Sequence, residues 1–135
     1  ILSHLTAIYI KQSLGRLSAL CGCVVAATGS SCGITYLMGG GYQQVMYAVQ
    51  NMIATLTGMI CDGGNQGCTM KGIVAVDAAF RSVDLAMDDT YIFNVHGING
   101  RTPELTMKHM GLIASPGMVG TEKTIVEIFE GKLSE

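Results

Sequence analysis

Leu17-Ser18-Ala19-Leu20-Cys21-Gly22-Cys23-Val24-Val25-Ala26-Ala27-Thr28-Gly29-Ser30-Ser31-Cys32-Gly33-Ile34-Thr35-Tyr36-Leu37-Met38 is the stretch on which the fold turns. It is a nearly continuous apolar run, and Gly39-Gly40-Gly41 follows it as a strong helix stop. Small residues dominate it: Ala19, Gly22, Ala26, Ala27, Gly29, Ser30, Ser31 and Gly33. A helix of small residues lets neighbouring backbones approach closely, so this one belongs at the centre of a bundle. No Asp, Glu, Lys or Arg stands between Arg16 and Asp62.

Outward from that run the periodicity stays helical. Before it, Leu2, Leu5, Ile8, Tyr9 and Leu14 fall at helical spacing, and Gly15-Arg16 marks a break. After it, residues 42–59 carry Val45, Met46, Val49, Met52, Ile53 and Leu56 at i, i+3, i+4 steps. Gln43, Gln44, Gln50 and Asn51 supply polar positions there without charge. Residues 69–87 read as a further helix, and residues 88–101 as a loop. Thr102-Pro103-Glu104 starts a helix that runs to about Ala114, where Ser115-Pro116-Gly117 stops it. Thr121 is expected to cap a last amphipathic helix carrying Ile125, Val126, Ile128 and Phe129 and ended by Gly131. The reading is an all-α helical bundle with central apolar small-residue helices, one domain over residues 1–135, without internal repeat.

Composition narrows the function classes. The 135 residues suffice for one domain with a real core. Charged residues are 13%, against roughly 25% in ordinary domains, so much of the surface is expected to face a larger body or another subunit. A net charge of −2 offers no basic patch for nucleic acid. Five cysteines, an odd number with no signal peptide, point to functional thiols in a reducing, cytoplasmic setting. About 20 apolar residues would span a bilayer. These segments, however, are rich in Gly, Ser, Thr, Gln and Asn, and no aromatic belt or Lys/Arg cluster orients them. A buried helix pair fits better than a membrane hairpin. The chain opens at Ile1 inside a helix, with neither Met nor cap. It is therefore expected to be the C-terminal portion of a larger protein, completed by an N-terminal half or a partner subunit, and to form a homo-oligomer.

The chemistry centres on Gly58-Met59-Ile60-Cys61-Asp62-Gly63-Gly64-Asn65-Gln66-Gly67-Cys68-Thr69-Met70-Lys71. Cys61 and Cys68 flank a glycine-rich loop with six residues between them. Gly63, Gly64 and Gly67 let the backbone turn and approach a bound group closely. Free cysteines are often merely buried, but the polar neighbours Asp62, Asn65 and Gln66 weigh against that here. A zinc site favours short pairs such as C-x₂-C, which this spacing is not. An iron–sulfur cluster needs thiolates and tolerates varied spacing. A third thiol would come from Cys21, Cys23 or Cys32. On a helix, where each residue turns about 100°, only one of Cys21 and Cys23 would easily reach the loop. Cys32 reads as a packing residue.

Several of these motifs resemble the α-chain domain of iron–sulfur L-serine dehydratases. They are Gly15-Arg16-Leu17-Ser18-Ala19-Leu20-Cys21-Gly22-Cys23, Gly33-Ile34-Thr35-Tyr36-Leu37-Met38-Gly39-Gly40, Gln50-Asn51-Met52-Ile53 and Gly58-Met59-Ile60-Cys61-Asp62-Gly63. The nearest branch is that of the L-cysteine desulfidases, and the resemblance covers about residues 1–130. It implies an all-α domain with an oxygen-sensitive [4Fe-4S] cluster held by three cysteines, the fourth iron being left for substrate. Carried over by position, the ligands are Cys21, Cys61 and Cys68, with Cys23 as the alternative to Cys21. In the serine dehydratases proper the paired cysteines stand farther apart, which favours the desulfidase-like branch. The family's N-terminal half, with its Ser/Gly/Asn-rich substrate loops, has no match here, so the chain alone should lack part of the active site.

The implied activity is elimination of water or hydrogen sulfide from L-serine or L-cysteine to give pyruvate and ammonia. An iron without a protein ligand acts as a Lewis acid on the leaving group. Lys71, one helical turn after Cys68, is the candidate base, although a carboxylate-paired lysine is the plainer reading of it. Asp62 either hydrogen-bonds the site or caps the next helix. Arg16 either binds a substrate carboxylate or ends a helix, and His4, His96 and His109 are scattered. The rival reading is a non-catalytic helical oligomerisation or scaffold domain with buried structural cysteines.

Overall fold

The uncharged run becomes helical only from Gly22 onward. In the computed structural model, which describes residues 1–134, α2 spans Gly22–Leu37. The expectation of one helix from Leu17 fails for a local reason. Gly15 turns at φ 75°, the Ser18 hydroxyl accepts from the Leu20 N–H at 3.0 Å, and the backbone then pairs elsewhere. Ser competes for backbone groups in this way wherever a helix would start late.

Inside α2 the buried hydroxyls are satisfied by the helix itself. Thr28 donates to the Val24 carbonyl at 2.8 Å, Ser31 to Thr28 at 2.7 Å and Thr35 to Ser31 at 2.8 Å. A polar but uncharged sequence can therefore sit in the core without an unpaired group. The triple glycine ends α2 as expected. Gly39, at φ 87°, donates to Tyr36, and Gly40 donates to Thr35 at 2.9 Å, the paired bonds of a Schellman motif.

Around α2 pack α1 (Leu2–Leu14), α3 (Tyr42–Leu56) and α4 (Gly67–Met87). Gly29 and Gly33 let α1 come close: a Cβ on Gly29 would collide with the Ser3 carbonyl, and one on Gly33 would stand 3.2 Å from the Ser3 side chain. The core gathers Ile10, Val24, Cys32, Met52, Ile53 and Met110. α5 (Pro103–Leu112) starts as its sequence requires, with the Thr102 hydroxyl accepting from the Leu105 N–H at 3.2 Å and Pro103 in the first turn. A short π-turn, Ile113–Gly117, follows, and α6 covers Val119–Leu133. Thr121 therefore lies inside α6 and does not cap it, and the helix runs past Gly131 to Leu133. All six helices lie among the described residues, and the pairing of Leu20 with Ile60 is the sole β-bridge there.

Gln50 and Asn51 do more than supply polarity. Asn51 donates to the carbonyls of Ser82 and Thr90 and accepts from the Ile92 N–H at 3.0 Å. Gln50 donates to Gly100, and Asn99 returns a bond to the Gln50 carbonyl. Two buried amides thus tie the loop of residues 88–102 to α3. Among the described residues no helix is long and apolar enough to cross a membrane. Apolar side chains still line the outer faces: Met70, Ile73, Val74 and Phe80 on α4, and Ile128 and Phe129 on α6. No residue of α6 is buried. Gly131 has nothing within 4 Å of an added Cβ. Gly131→Ala should therefore firm the end of α6 by about 0.5–1 kcal/mol, read as slower amide exchange there.

Candidate metal centre

Two backbone bonds create the site. Cys21 donates its N–H to the Met59 carbonyl at 2.8 Å, and Cys61 donates to the Ala19 carbonyl at 2.6 Å. They flank the bridged pair Leu20 and Ile60, so Cys21 and Cys61 both project from the opposite face of that bridge. A sequence separation of forty residues between the two cysteines is closed by local pairing. From Cys61 the loop turns through Gly63 at φ 90°, and Cys68 re-enters in the first turn of α4.

Asn65 holds that loop in shape. Its side-chain amide donates to the Asp62 and Gly63 carbonyls, while its side-chain oxygen accepts from the Gly67 N–H at 2.7 Å. The Cys68 thiol donates to the Gly63 carbonyl at 3.4 Å. From the far end of the chain, the Glu122 carboxylate accepts from the Ala19 N–H at 2.9 Å, and the Phe129 ring packs at 3.7 Å from where a Gly63 Cβ would be. α6 thereby braces both segments that carry thiols.

Cys21 is buried, while Cys23, Cys61 and Cys68 are partly covered. Sequence reasoning expected that only one of Cys21 and Cys23 would easily reach the loop. The expectation assumed both on a helix. Cys21 is instead the N-cap, in extended backbone at φ −63°, ψ 132°, and only Cys23 is helical. Burial first, then the adjoining Cys21 thiol, then the charges of Cys21, Cys68 and Cys61 push the Cys23 thiol above its usual range. Four sulfurs therefore share one electrostatic neighbourhood. Cys32 stands apart as a core residue, its thiol donating to the Thr28 carbonyl at 3.4 Å.

Lys71 forms an ion pair with Asp62 across the mouth of the loop. The Asp62 carboxylate foremost, with the sulfurs of Cys21 and Cys68 behind it, raises the Lys71 ammonium above its ordinary value, and Lys71 in turn lowers Asp62. The signs fix a window. Asp62 is depressed, so its contribution is lost only as pH falls through its lowered value. Lys71 is raised, so its contribution is lost only as pH climbs through its raised one. The pair is intact across neutral pH. Asp62 does not cap α4, whose N-cap is Gln66.

The histidines stand at three separate places. His109 Nδ1 lies 2.7 Å from the Ile98 carbonyl, His96 lines a cleft beside Ile53 and Thr57, and His4 lines a groove between α1 and α2. Arg16 and Lys11 share that groove, which reaches Cys61, and neither is in an ion pair among the described residues.

The donor set suits a cluster better than a single ion. Among the described residues no three His, Cys, Asp or Glu side chains stand as a ready cage for one metal ion. A single zinc, with metal–sulfur bonds of about 2.3 Å, would need such close convergence. In a cluster each thiolate binds its own iron, so its sulfurs stand farther apart, and an all-thiolate set is what such clusters use. Cys21, Cys61 and Cys68 are thiols, the donor type such a set would use.

Residues 1–127 match the family described as serine dehydratase alpha chain. A UPF0597 protein of Phocaeicola vulgatus is 57% identical over 131 residues, covering 97% of this chain and 30% of that relative. One from Porphyromonas gingivalis is 46% identical over 132 residues, covering 98% of this chain and 30% of the relative. Another, from Clostridium botulinum, is 48% identical over 128 residues, covering 94% and 30%. The chain thus spans about 30% of the length of the curated relatives it matches. No solved structure matches it.

Proposed function

The chain belongs to the serine dehydratase alpha chain family, and from that premise we propose that it is the cluster-bearing part of an iron–sulfur amino-acid lyase. The complete protein would eliminate water or hydrogen sulfide from L-serine or L-cysteine, giving pyruvate and ammonia. The observation that supports this reading is the backbone pairing of the segment of Cys21 with that of Cys61, beside the braced loop that leads to Cys68. These three would hold a [4Fe-4S] cluster. When bound, it supplies a Lewis-acidic iron for the leaving hydroxyl or thiol.

This chain's own residues set the surroundings of that chemistry. Cys21 is fixed by burial and its bond to Met59, so one ligand is rigid. Asn65 keeps Cys61 and Cys68 at a constant separation. Lys71, held protonated by Asp62, places a positive charge beside the sulfurs and offsets their negative charge. As a base, Lys71 would first have to surrender a proton that Asp62 retains. Its charge suits holding the substrate carboxylate or protonating the leaving group. The group that takes the α-proton then belongs to the remaining length of the protein, which the apolar outer faces of α4 and α6 would meet. The same reading puts the protein in the cytoplasm, where thiols stay reduced, and makes it a homo-oligomer.

The test is the full-length protein, purified and reconstituted without oxygen, assayed for pyruvate from each amino acid. Brown, iron-loaded protein that turns over either substrate supports the reading. Colourless, iron-free and inactive protein with the fold intact would leave the scaffold alternative standing. Lys71→Met separates the roles of the lysine. Loss of its charge should lower cluster retention or kcat by about 10–100-fold, the scale for partners that orient metal ligands. Unchanged iron content and kcat would remove Lys71 from the site.

A further inference from the structure

An amino-acid substrate carries a carboxylate, which calls for a positive charge that is not already neutralised. Lys71 is matched by Asp62 in an ion pair. The groove between α1 and α2 offers other cations. It encloses about 470 Å³, and Cys61 is among the residues that line it. Ile8, Leu14, Leu20 and Val25 give it apolar walls, while Lys11 and Arg16 supply positive charge. No Asp or Glu is among its described lining residues, and neither cation is in an ion pair among the described residues. Lys11 has a helical reason for its place: it stands in the last turn of α1, where a cation suits the negative end of the dipole. Arg16 lies beyond that end, past the turn at Gly15, and has no such reason. It belongs instead to the segment that pairs with Cys61. The Ala19 carbonyl, three residues on, accepts from the Cys61 N–H at 2.6 Å.

We propose that Arg16 holds the α-carboxylate of the substrate amino acid, with Lys11 adding a second positive charge in the same groove. The proposal rests on the lyase reading above. A guanidinium presents paired N–H groups in a fixed fork that matches the two oxygens of a carboxylate. Apolar walls keep the local dielectric low and strengthen that attraction. Lys71 is then left for the leaving group.

The experiment uses the full-length protein, reconstituted anaerobically, with iron content, KM and kcat measured for L-cysteine and L-serine. Arg16→Gln should raise KM by about 10–100-fold, the scale of a lost charge-assisted hydrogen bond, and leave iron content and kcat within about twofold. Arg16→Lys should recover part of the loss. Lys11→Gln should raise KM by a smaller factor, and it covers the case in which the Arg16 variants do not fold. Two competitive inhibitors give a second readout. Mercaptopropionate keeps the carboxylate and thiol of cysteine without the amine, and cysteamine keeps the amine and thiol without the carboxylate. Mercaptopropionate should bind Arg16→Gln about 10-fold more weakly than wild type, and cysteamine should bind both equally. Lys132→Gln, which removes an exposed charge of α6 outside the groove, should match wild type throughout. Unchanged KM and unchanged mercaptopropionate inhibition in Arg16→Gln would overturn the carboxylate role while leaving the lyase reading in place. Equal weakening of both inhibitors, or loss of iron, would overturn it too and mark Arg16 as a structural contact with the rest of the protein. Failure of wild type to assemble a cluster and form pyruvate would overturn both readings.

Discussion

Cys61→Ala and Cys68→Ala, each made in the full-length protein, should bring bound iron and visible absorbance to background and abolish pyruvate formation. The two residues bracket a loop that contributes little to the core. The Cys68 thiol bonds to the Gly63 carbonyl, and Cys61 packs at the core's margin. The metal-free fold should therefore survive, with stability within about 0.5–1 kcal/mol of the metal-free wild type, as for substitutions outside the core. Iron analysis paired with thermal unfolding of the metal-free protein checks both halves. Full iron and activity in either variant would sink the assignment. Cys21→Ala is the poorer probe, because removing a buried side chain also leaves a cavity.

The second large effect concerns the contact between α1 and α2. Gly29→Val should destabilise the chain by about 3 kcal/mol or more, at the upper end of overpacking costs. The added side chain would run into the Ser3 carbonyl, which is backbone, and would stand 3.2 Å from the Ala7 Cβ. Neither can move without shifting α1 as a whole. Replacing glycine ordinarily favours a helix by up to about 1 kcal/mol, which is too small to offset the clash. Denaturant midpoints measure it, and a midpoint equal to wild type would mean that the two helices are not held at this distance.

The bundle was legible in the sequence because its signals are local. Helical spacing, the triple glycine and Thr102-Pro103 each act within a few residues, and each did in the structure what its chemistry requires. Helix starts were less legible. Residues 17–21 have helical composition but are claimed by a backbone partner forty residues away, and no propensity records that. The same blindness hid that Cys21 is an extended N-cap and not helical. Glu122 left no signal, since its partner Ala19 lies 103 positions away. Gln50 and Asn51 did leave one: two adjacent amides on an apolar helix, with Asn99-Gly100 in a later loop to receive them.

α6 has a peculiar standing in this architecture. None of its side chains is fully buried and only Ile125 packs against the core, so it adds little to the hydrophobic free energy of the whole, yet one carboxylate and one ring from it rest on the hairpin that bears the sulfurs. An element held at so few points detaches before the bundle melts. Mild warming or a nick near residue 118 would thus unlatch the sulfur hairpin while leaving the interior intact, and activity would vanish well ahead of the helical signal.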